Sequence, residues 1–109
     1  VGVARACLEH SVRYANEREQ FGQPNANFQM IQEQIAEMYV EEQAARLLVY
    51  RAACNKDLGQ RNTIEVSCAK FYAAEVAVKA ANQAVKIFGS YGFSTEYPVE
   101  RFFRVAKSY

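Results

Sequence analysis

Apolar residues recur every three or four positions through most of the chain, which is the spacing of one face of an α-helix. The first such run predicts a helix over about residues 1–17, whose apolar face contains Val1, Ala4, Leu8, Val12 and Ala15. Gly22 and Pro24 interrupt this pattern. Residues 22–27 are therefore expected to form a loop.

The second run predicts a long helix over about residues 28–58. Its apolar face contains Phe28, Ile31, Ile35, Met38, Ala45, Val49 and Ala52. Glu42 falls on the same face, and we expect it at the edge because charged residues are seldom fully buried. Asn27 is the expected N-cap, and Gly59 is expected to adopt a left-handed conformation after the last turn.

The third run predicts a helix over about residues 63–88. Its apolar face contains Val66, Ala69, Ala73, Val76, Ala80, Ala84 and Ile87. The many alanines keep this face thin, so a neighbouring helix can approach closely. Asn62 and Glu65 have the spacing of a capping box, and Gly89 is expected to end the helix.

The remaining residues predict a shorter fourth helix. Pro98 suits the first turn of a helix that we expect to run to Tyr109. No segment has the two-residue period of a strand over a useful length. Two long helices with short connections predict one all-α domain of residues 1–109, an antiparallel four-helix up-and-down bundle with truncated first and last helices.

Composition excludes several classes of function. The net charge of +1 gives no electrostatic reason to bind nucleic acid or an anionic membrane. Three cysteines, an odd number without a close pair, indicate reduced thiols that are buried as small apolar groups. A single histidine, His10, excludes a His-rich metal site. Because Val1 already lies in a helical pattern, we expect a fragment of a longer protein.

Arg18–Gln23 places a guanidinium, an aromatic ring and a glycine turn between two predicted helices. A guanidinium can donate two hydrogen bonds to one phosphate, and Phe21 could offer its ring face to an adenine or a flavin. The alternative is that Arg18 lies on an exposed, charged helix end. Gln29 could present its amide or nearby backbone N–H groups to an anion, or be a solvated residue of the first helical turn.

Gly89–Gly92 resembles a phosphate loop only superficially, because it follows a helix instead of preceding one and the helix dipole has the wrong sign. By itself this run predicts a helix end and a turn. Lys86 is explained either by the partial negative charge of the helix C-terminus or by a contact to phosphate.

The second predicted helix also has an acidic side. It consists of Glu33, Glu37, Glu41 and Glu42. Carboxylates spaced by four residues can hold two metal ions, but no histidine or cysteine accompanies them, and a solvated face is the interpretation we favour. His10 has no catalytic partner at a recognisable spacing and is expected on the surface or between helices.

Several dispersed segments together resemble the C-terminal helical domain of the acyl-CoA dehydrogenases. They keep the order of the family and span the whole chain. The segments are Tyr14–Gln23 (YANEREQFGQ), Phe28–Gln32, Ile35–Met38, Ala69–Lys70, Ile87–Arg101 (IFGSYGFSTEYPVER) and Arg104–Tyr109.

The resemblance implies a homotetrameric, FAD-dependent enzyme that desaturates an acyl-CoA thioester between its α and β carbons. A base removes the α proton, a hydride passes to the flavin, and an electron-transferring flavoprotein accepts the electrons. The full subunit would add an N-terminal helical domain and a middle β domain, in the bacterial cytoplasm or the mitochondrial matrix. Related alternatives are an enoyl-CoA reductase, an oxidase and a decarboxylating glutaryl-CoA type. A non-catalytic helical scaffold that has lost FAD is an alternative of another class.

The matching motifs also imply which residues contact FAD. These residues are Arg18, Gln20, Phe21, Phe28, Gln29, Lys86, Gly89 and Ser90. Whether Lys86–Ser90 completes the same pocket or faces it across a subunit interface stays open. The glutamate that serves as catalytic base in the family lies outside this chain, so no catalytic residue is assigned.

Three positions depart from the family pattern and suggest a divergent subfamily. Lys86 stands where the family usually has Gln, and it would contact phosphate by charge. Ser90 replaces a glycine, and its Cβ would oppose close backbone approach or a positive φ. Val105 replaces an aspartate, which could free Arg104 or Arg101 from an ion pair.

Overall fold

The computed structural model describes residues 1–109 and confirms an all-α bundle of four helices. The helices are α1 (Gly2–Glu17), α2 (Gln29–Asp57), α3 (Thr63–Phe88) and α4 (Val99–Ala106). Helix α3 contacts each of the other three. Helices α2 and α3 are antiparallel, since Glu37 pairs with Lys79 while Arg51, farther along α2, pairs with the earlier Glu65. None of the helices has the length and apolar character needed to span a membrane.

Small residues form much of the bundle core. Ala77, Ala80, Ala81 and Ala84 of α3 are at most 2% exposed. Ala80 and Ala84 belong to the predicted thin face of α3, and such residues let helix backbones approach closely. Ala77 and Ala81 were not predicted on that face, and the predicted Val66 is 47% exposed. The predicted face of α1 is partly wrong. Val12 is exposed, whereas Cys7 and Tyr14, one turn or less from predicted positions, are buried.

Two of the predicted helix caps are wrong, and both predicted glycine ends are confirmed. Phe28, not Asn27, is the N-cap residue of α2. Asn62 is the N-cap residue of α3 but forms no capping box, because its side-chain nitrogen instead donates to the Ala52 carbonyl oxygen at 3.2 Å. Gly59 and Gly89 have φ values of 71° and 60°, which other residues adopt with strain.

The connection between α1 and α2 is more ordered than the predicted loop. Strands β1 (Glu19–Gln20) and β2 (Gln23–Pro24) form a minimal antiparallel hairpin. Its turn residues, Phe21 and Gly22, both have positive φ, at 54° and 79°. Positive φ at both central residues is the geometry of a tight two-residue hairpin turn. A short 3-10 helix, Asn25–Asn27, then leads into α2.

Helix α3 is followed by a second 3-10 helix, Gly89–Phe93, which folds back on its last turns. A Cβ atom on Gly92 would lie 2.5 Å from the Val85 carbonyl oxygen, so only glycine fits there. Pro98 is the N-cap residue of α4. This helix ends at Ala106, so the predicted extension to Tyr109 is wrong.

The acidic side of α2 is only partly the solvated face that we predicted. Glu42 is 0% exposed, and the Arg46 Nε atom donates to its carboxylate at 2.9 Å. The predicted edge position of Glu42 is therefore wrong, since the arginine four residues later compensates its charge within the same helix. Glu37 and Glu41 both accept hydrogen bonds from the Lys79 ammonium at 2.6 Å.

The cysteines are all free thiols. Cys7 is buried as predicted, but Cys54 and Cys68 are exposed, so the prediction of three buried thiols is wrong for two of them. Burial raises the pKa of the Cys7 thiol to about 12.

Candidate functional site

A cleft of about 550 Å³ opens where α1 ends, α2 begins and α3 ends. Its wall contains every residue that the sequence motifs nominated. These are Arg18, Gln20, Phe21, Phe28, Gln29, Lys86, Gly89 and Ser90. Residues separated by up to 72 positions in the chain thus line one cleft, and Lys86–Ser90 lies in the same cleft as the other two groups within a single chain.

The cleft provides two cations and a helix N-terminus. Arg18 immediately follows α1, and Lys86 lies in the last turn of α3. The N-cap residue of α2, Phe28, makes no side-chain capping bond. The first N–H groups of a helix have no intrahelical acceptor and carry a partial positive charge. This combination favours an anionic group such as phosphate.

Phe21 presents an exposed aromatic surface at the cleft. Its side chain is 92% exposed, and its ring makes an edge contact with Phe28 at a centroid distance of 6.3 Å. A bulky residue with positive φ is strained, and such strain is common where a side chain serves a site. The exposed ring can stack on a planar aromatic ligand.

Aromatic residues also close the inner side of the cleft. The Tyr14 ring stacks on Phe88 at 4.1 Å with an interplanar angle of 18°, and Tyr97 contacts both rings edge-on. Burial raises the pKa of the Tyr14 hydroxyl, while the nearby Arg18 charge opposes this shift. Tyr14 therefore keeps its proton at neutral pH and can donate a hydrogen bond.

Several cleft residues were not nominated from the sequence. They are Tyr14, Asn25, Met30, Ile31, Gln34, Ile87, Phe88 and Tyr91. Tyr14 lies in a segment that carried the family resemblance, so a signal existed for it. The sequence carried no such signal for Asn25 and Gln34, because what distinguishes them is the burial of their side chains in the fold. The side-chain oxygens of both are buried without a hydrogen-bond partner.

The three family departures have limited local effects. Ser90 does not have a positive φ, which instead occurs at Gly89, so the predicted conflict with a positive φ does not arise. Arg104 is bound to Glu100 by two hydrogen bonds of 2.9 and 3.2 Å, so of the two predicted alternatives Arg104 is not the released arginine. Arg101 has no ion pair and lies 5.8 Å from the centroid of the Phe102 ring.

The other candidate groups lie away from the cleft. His10 packs between helices against Phe102, with ring centroids 5.4 Å apart, as one of the predicted alternatives required. The acidic side chains of α2 do not line the cleft, and no group of three His, Cys, Asp or Glu residues is arranged to hold a metal ion.

Comparison with known proteins identifies the family. Residues 1–109 match the model of the acyl-CoA dehydrogenase C-terminal domain. The chain is 54% identical to a glutaryl-CoA dehydrogenase from Desulfococcus multivorans, covering 100% of this chain and 28% of that protein. Butyryl-CoA dehydrogenase from Megasphaera elsdenii superposes with a TM-score of 0.97 at 46% identity, covering 98% of this chain and 28% of the other.

A more distant structure, the FAD complex of PigA, superposes with a TM-score of 0.90 at 30% identity, over 96% of this chain and 27% of the other. The chain thus spans little more than a quarter of the proteins that it matches. Because sequence and fold agree over that span, this chain belongs to the acyl-CoA dehydrogenase family and corresponds to the C-terminal helical domain of its members.

Proposed function

We propose that this chain is the FAD-contacting and oligomerising domain of an acyl-CoA dehydrogenase, which desaturates an acyl-CoA thioester between its α and β carbons. The observation that carries the proposal is the convergence of all eight motif residues on one cleft. Family membership supports the reaction class, and the relative bound to FAD supports the cofactor.

The residues of the cleft fit a dinucleotide. Arg18, Lys86 and the N-terminus of α2 would hold its phosphates, since together they offer charge-assisted and backbone N–H donors. Phe21 and Phe28 offer ring surface for its planar groups. The 550 Å³ cleft is open, so residues outside this chain would complete the enclosure.

The chemistry of such a site divides between this chain and the rest of the protein. When bound, FAD supplies the acceptor for the hydride that leaves the β carbon. Arg18 and Lys86 would anchor the cofactor, and Tyr14 would keep the inner cleft apolar by stacking on Phe88. No glutamate of this chain lines the cleft, which supports a catalytic base outside residues 1–109.

We also propose that the outer faces of α2 and α3 contact other subunits or domains. Large apolar side chains there are more than half exposed. They include Val40, Leu47, Tyr50, Ile64 and Phe71. Exposed apolar surface can mark a contact with another protein, in keeping with the homotetramer implied by the family.

A turnover assay tests the reaction. The full-length protein should reduce an electron-transferring flavoprotein when supplied with acyl-CoA thioesters of graded chain length, while the 109-residue chain alone should be inactive. Turnover by the isolated chain, or no acyl-CoA oxidation by the full-length protein with any acceptor, would overturn the proposal. Including oxygen as an alternative acceptor separates a dehydrogenase from an oxidase.

One relative favours a specific second candidate. The 54% identity to a glutaryl-CoA dehydrogenase makes glutaryl-CoA the first substrate to assay. A decarboxylating enzyme would release CO₂ together with reduced acceptor, whereas a simple dehydrogenase would not. Enoyl-CoA reduction is tested by running the same assay with the unsaturated thioester and a reduced electron donor.

A further inference from the structure

Asn25 is buried in the wall of the cleft with an unpaired side chain. Only 7% of the residue is exposed, yet its Oδ1 atom has no hydrogen-bond partner in the chain. Buried polar atoms without partners are rare because they lower stability. Asn25 therefore costs the domain stability unless another group reaches the amide.

The backbone of Asn25 is fixed between the two elements that would hold phosphate. Its N–H donates to the Arg18 carbonyl oxygen at 2.7 Å, and its carbonyl oxygen accepts from the Phe28 N–H at 3.1 Å. Arg18 carries the guanidinium, and Phe28 caps α2. Main-chain contacts that do not involve its side chain thus hold Asn25 between the two elements proposed to bind the phosphates.

The chemistry of the unpaired atom restricts its partner. An amide oxygen only accepts hydrogen bonds, so the ligand group must carry a hydrogen. An ionised phosphate has none to give, whereas a hydroxyl group does. The amide can turn about its last side-chain torsion, which has broad minima, and so direct its oxygen into the cleft.

A second unpaired acceptor lies in the same cleft. The Gln34 Oε1 atom is buried without a partner, six positions beyond Phe28 and therefore about 9 Å along α2. Two unpaired acceptors in the wall near one phosphate-favouring helix end fit a ligand whose hydroxyl groups flank its phosphates.

We propose that Asn25 binds a sugar or ribityl hydroxyl adjacent to the diphosphate of the cofactor and thereby positions it. This inference rests on the proposed FAD site and adds a contact that the family motifs did not nominate. Asn25 would then be a binding residue whose unpaired amide lowers the stability of the domain when no ligand is bound.

The test compares FAD affinity with the stability of the apoprotein in the full-length protein. Asn25→Leu keeps the branched shape and removes the amide, and Asn25→Ala removes it without adding bulk. We expect FAD binding, followed by flavin fluorescence, to weaken about three- to tenfold in both variants, as for loss of one neutral hydrogen bond. The apoprotein Tm of Asn25→Leu should stay unchanged or rise, because an unpaired buried group is removed.

Ser11→Ala is the matched control. Ser11 is 0% exposed, its Oγ atom is also unpaired, and it lies on α1 outside the cleft. It should tolerate the loss of its hydroxyl with unchanged FAD affinity. Wild-type affinity in both Asn25 variants would overturn the role of Asn25 alone, as would a lower apoprotein Tm in Asn25→Leu. Failure of the wild-type protein to bind FAD would instead overturn the proposed function.

Discussion

The first turns of α2 and its middle are built in opposite ways. At the cleft, Met30 is 74% exposed and the Gln34 oxygen has no partner. Eight residues after Met30, Met38 is 1% exposed, and Glu42 is fully buried with its carboxylate bound by Arg46. One end of the helix leaves groups available to a ligand, while the middle satisfies its own polar groups and supports the fold.

The same contrast separates the hairpin from the α1–α3 contact. Phe21 is strained and exposed at the cleft, whereas Cys7 and Ala81 are 0% exposed in the core. Phe21 is the one non-glycine residue with positive φ, and two of the four buried side-chain atoms without a partner, those of Asn25 and Gln34, also line the cleft. A ligand in the cleft can compensate both kinds of cost. Changes in the middle of the bundle should therefore alter stability, and changes at the cleft should alter binding.

The largest expected effect comes from the two methionines of α2. Met38→Ala should lower the free energy of unfolding by about 2–5 kcal/mol, because it leaves a cavity in the core. Met30→Ala removes the same atoms from an exposed side chain, and it should change the free energy of unfolding by less than about 0.5 kcal/mol. Urea unfolding of the 109-residue chain measures both, and equal losses would contradict the division of α2 into two regions.

Gly92→Ala tests the close packing behind the cleft. The new Cβ would lie 2.5 Å from the Val85 carbonyl oxygen, so the 3-10 helix must shift. We expect the free energy of unfolding of Gly92→Ala to fall by about 1–3 kcal/mol, which is typical of overpacking. Gly2→Ala meets no atom within 4 Å and serves as the control. Equal thermal stability of the two variants would show that Gly92 is not constrained.

Cys7 should make the domain less stable at alkaline pH. Its pKa is about 12 in the fold against 9.0 as the reference, so the unfolded chain releases its proton first. This contribution to stability is complete below pH 9 and is lost as pH rises towards 12, and the loss is about 1 kcal/mol at pH 10. Cys7→Ala should flatten the stability curve between pH 8 and 10. Cys54→Ala, at an exposed thiol, should leave the curve unchanged, and an equal flattening there would contradict the assignment.

The smallest effect is expected at the exposed Lys79 bridge. The hydrogen bond from Lys79, aided by Gln83, lowers the pKa of Glu37 below 4.5. A carboxyl group whose pKa is lowered in the fold stabilises it at pH values above the pKa of the unfolded state. This stabilisation is lost as the pH falls through the pKa of the folded state. Lys79→Met should therefore be less stable than wild type at pH 6, and the difference should narrow below pH 4. A difference in stability between wild type and Lys79→Met that stays constant from pH 6 to below pH 4 would show that protonation of Glu37 does not affect stability through Lys79.

The helices could be predicted from the sequence because periodic apolar residues and glycines act locally. Gly59 and Gly89 end their helices as predicted, and the predicted Ala69, Ala80 and Ala84 of α3 are buried. The errors arose where particular side-chain pairings decide. The Asn62 side chain donates to the Ala52 carbonyl oxygen and does not cap α3, and Glu42 is buried with its carboxylate paired to Arg46.

The site, too, could be predicted from the sequence only in part. The family motifs nominated Arg18, Phe21 and Lys86, which the fold brings into one cleft. They could not indicate the strained turn at Phe21 or the unpaired amide of Asn25, since positive φ and burial depend on the completed hairpin and bundle. Exposure of Cys54 and Cys68 was missed for the same reason, because composition does not reveal which face of a helix a thiol occupies.

FAD titration of the full-length protein and its Arg18→Ala variant tests the central claim most directly. The wild-type protein should bind FAD and show the flavin absorbance bands. Arg18→Ala should bind it about ten- to a hundredfold more weakly, because a charge-assisted hydrogen bond contributes roughly 1.5–3 kcal/mol. A colourless wild-type protein that binds no added FAD, or an Arg18→Ala variant with unchanged affinity, would contradict the account.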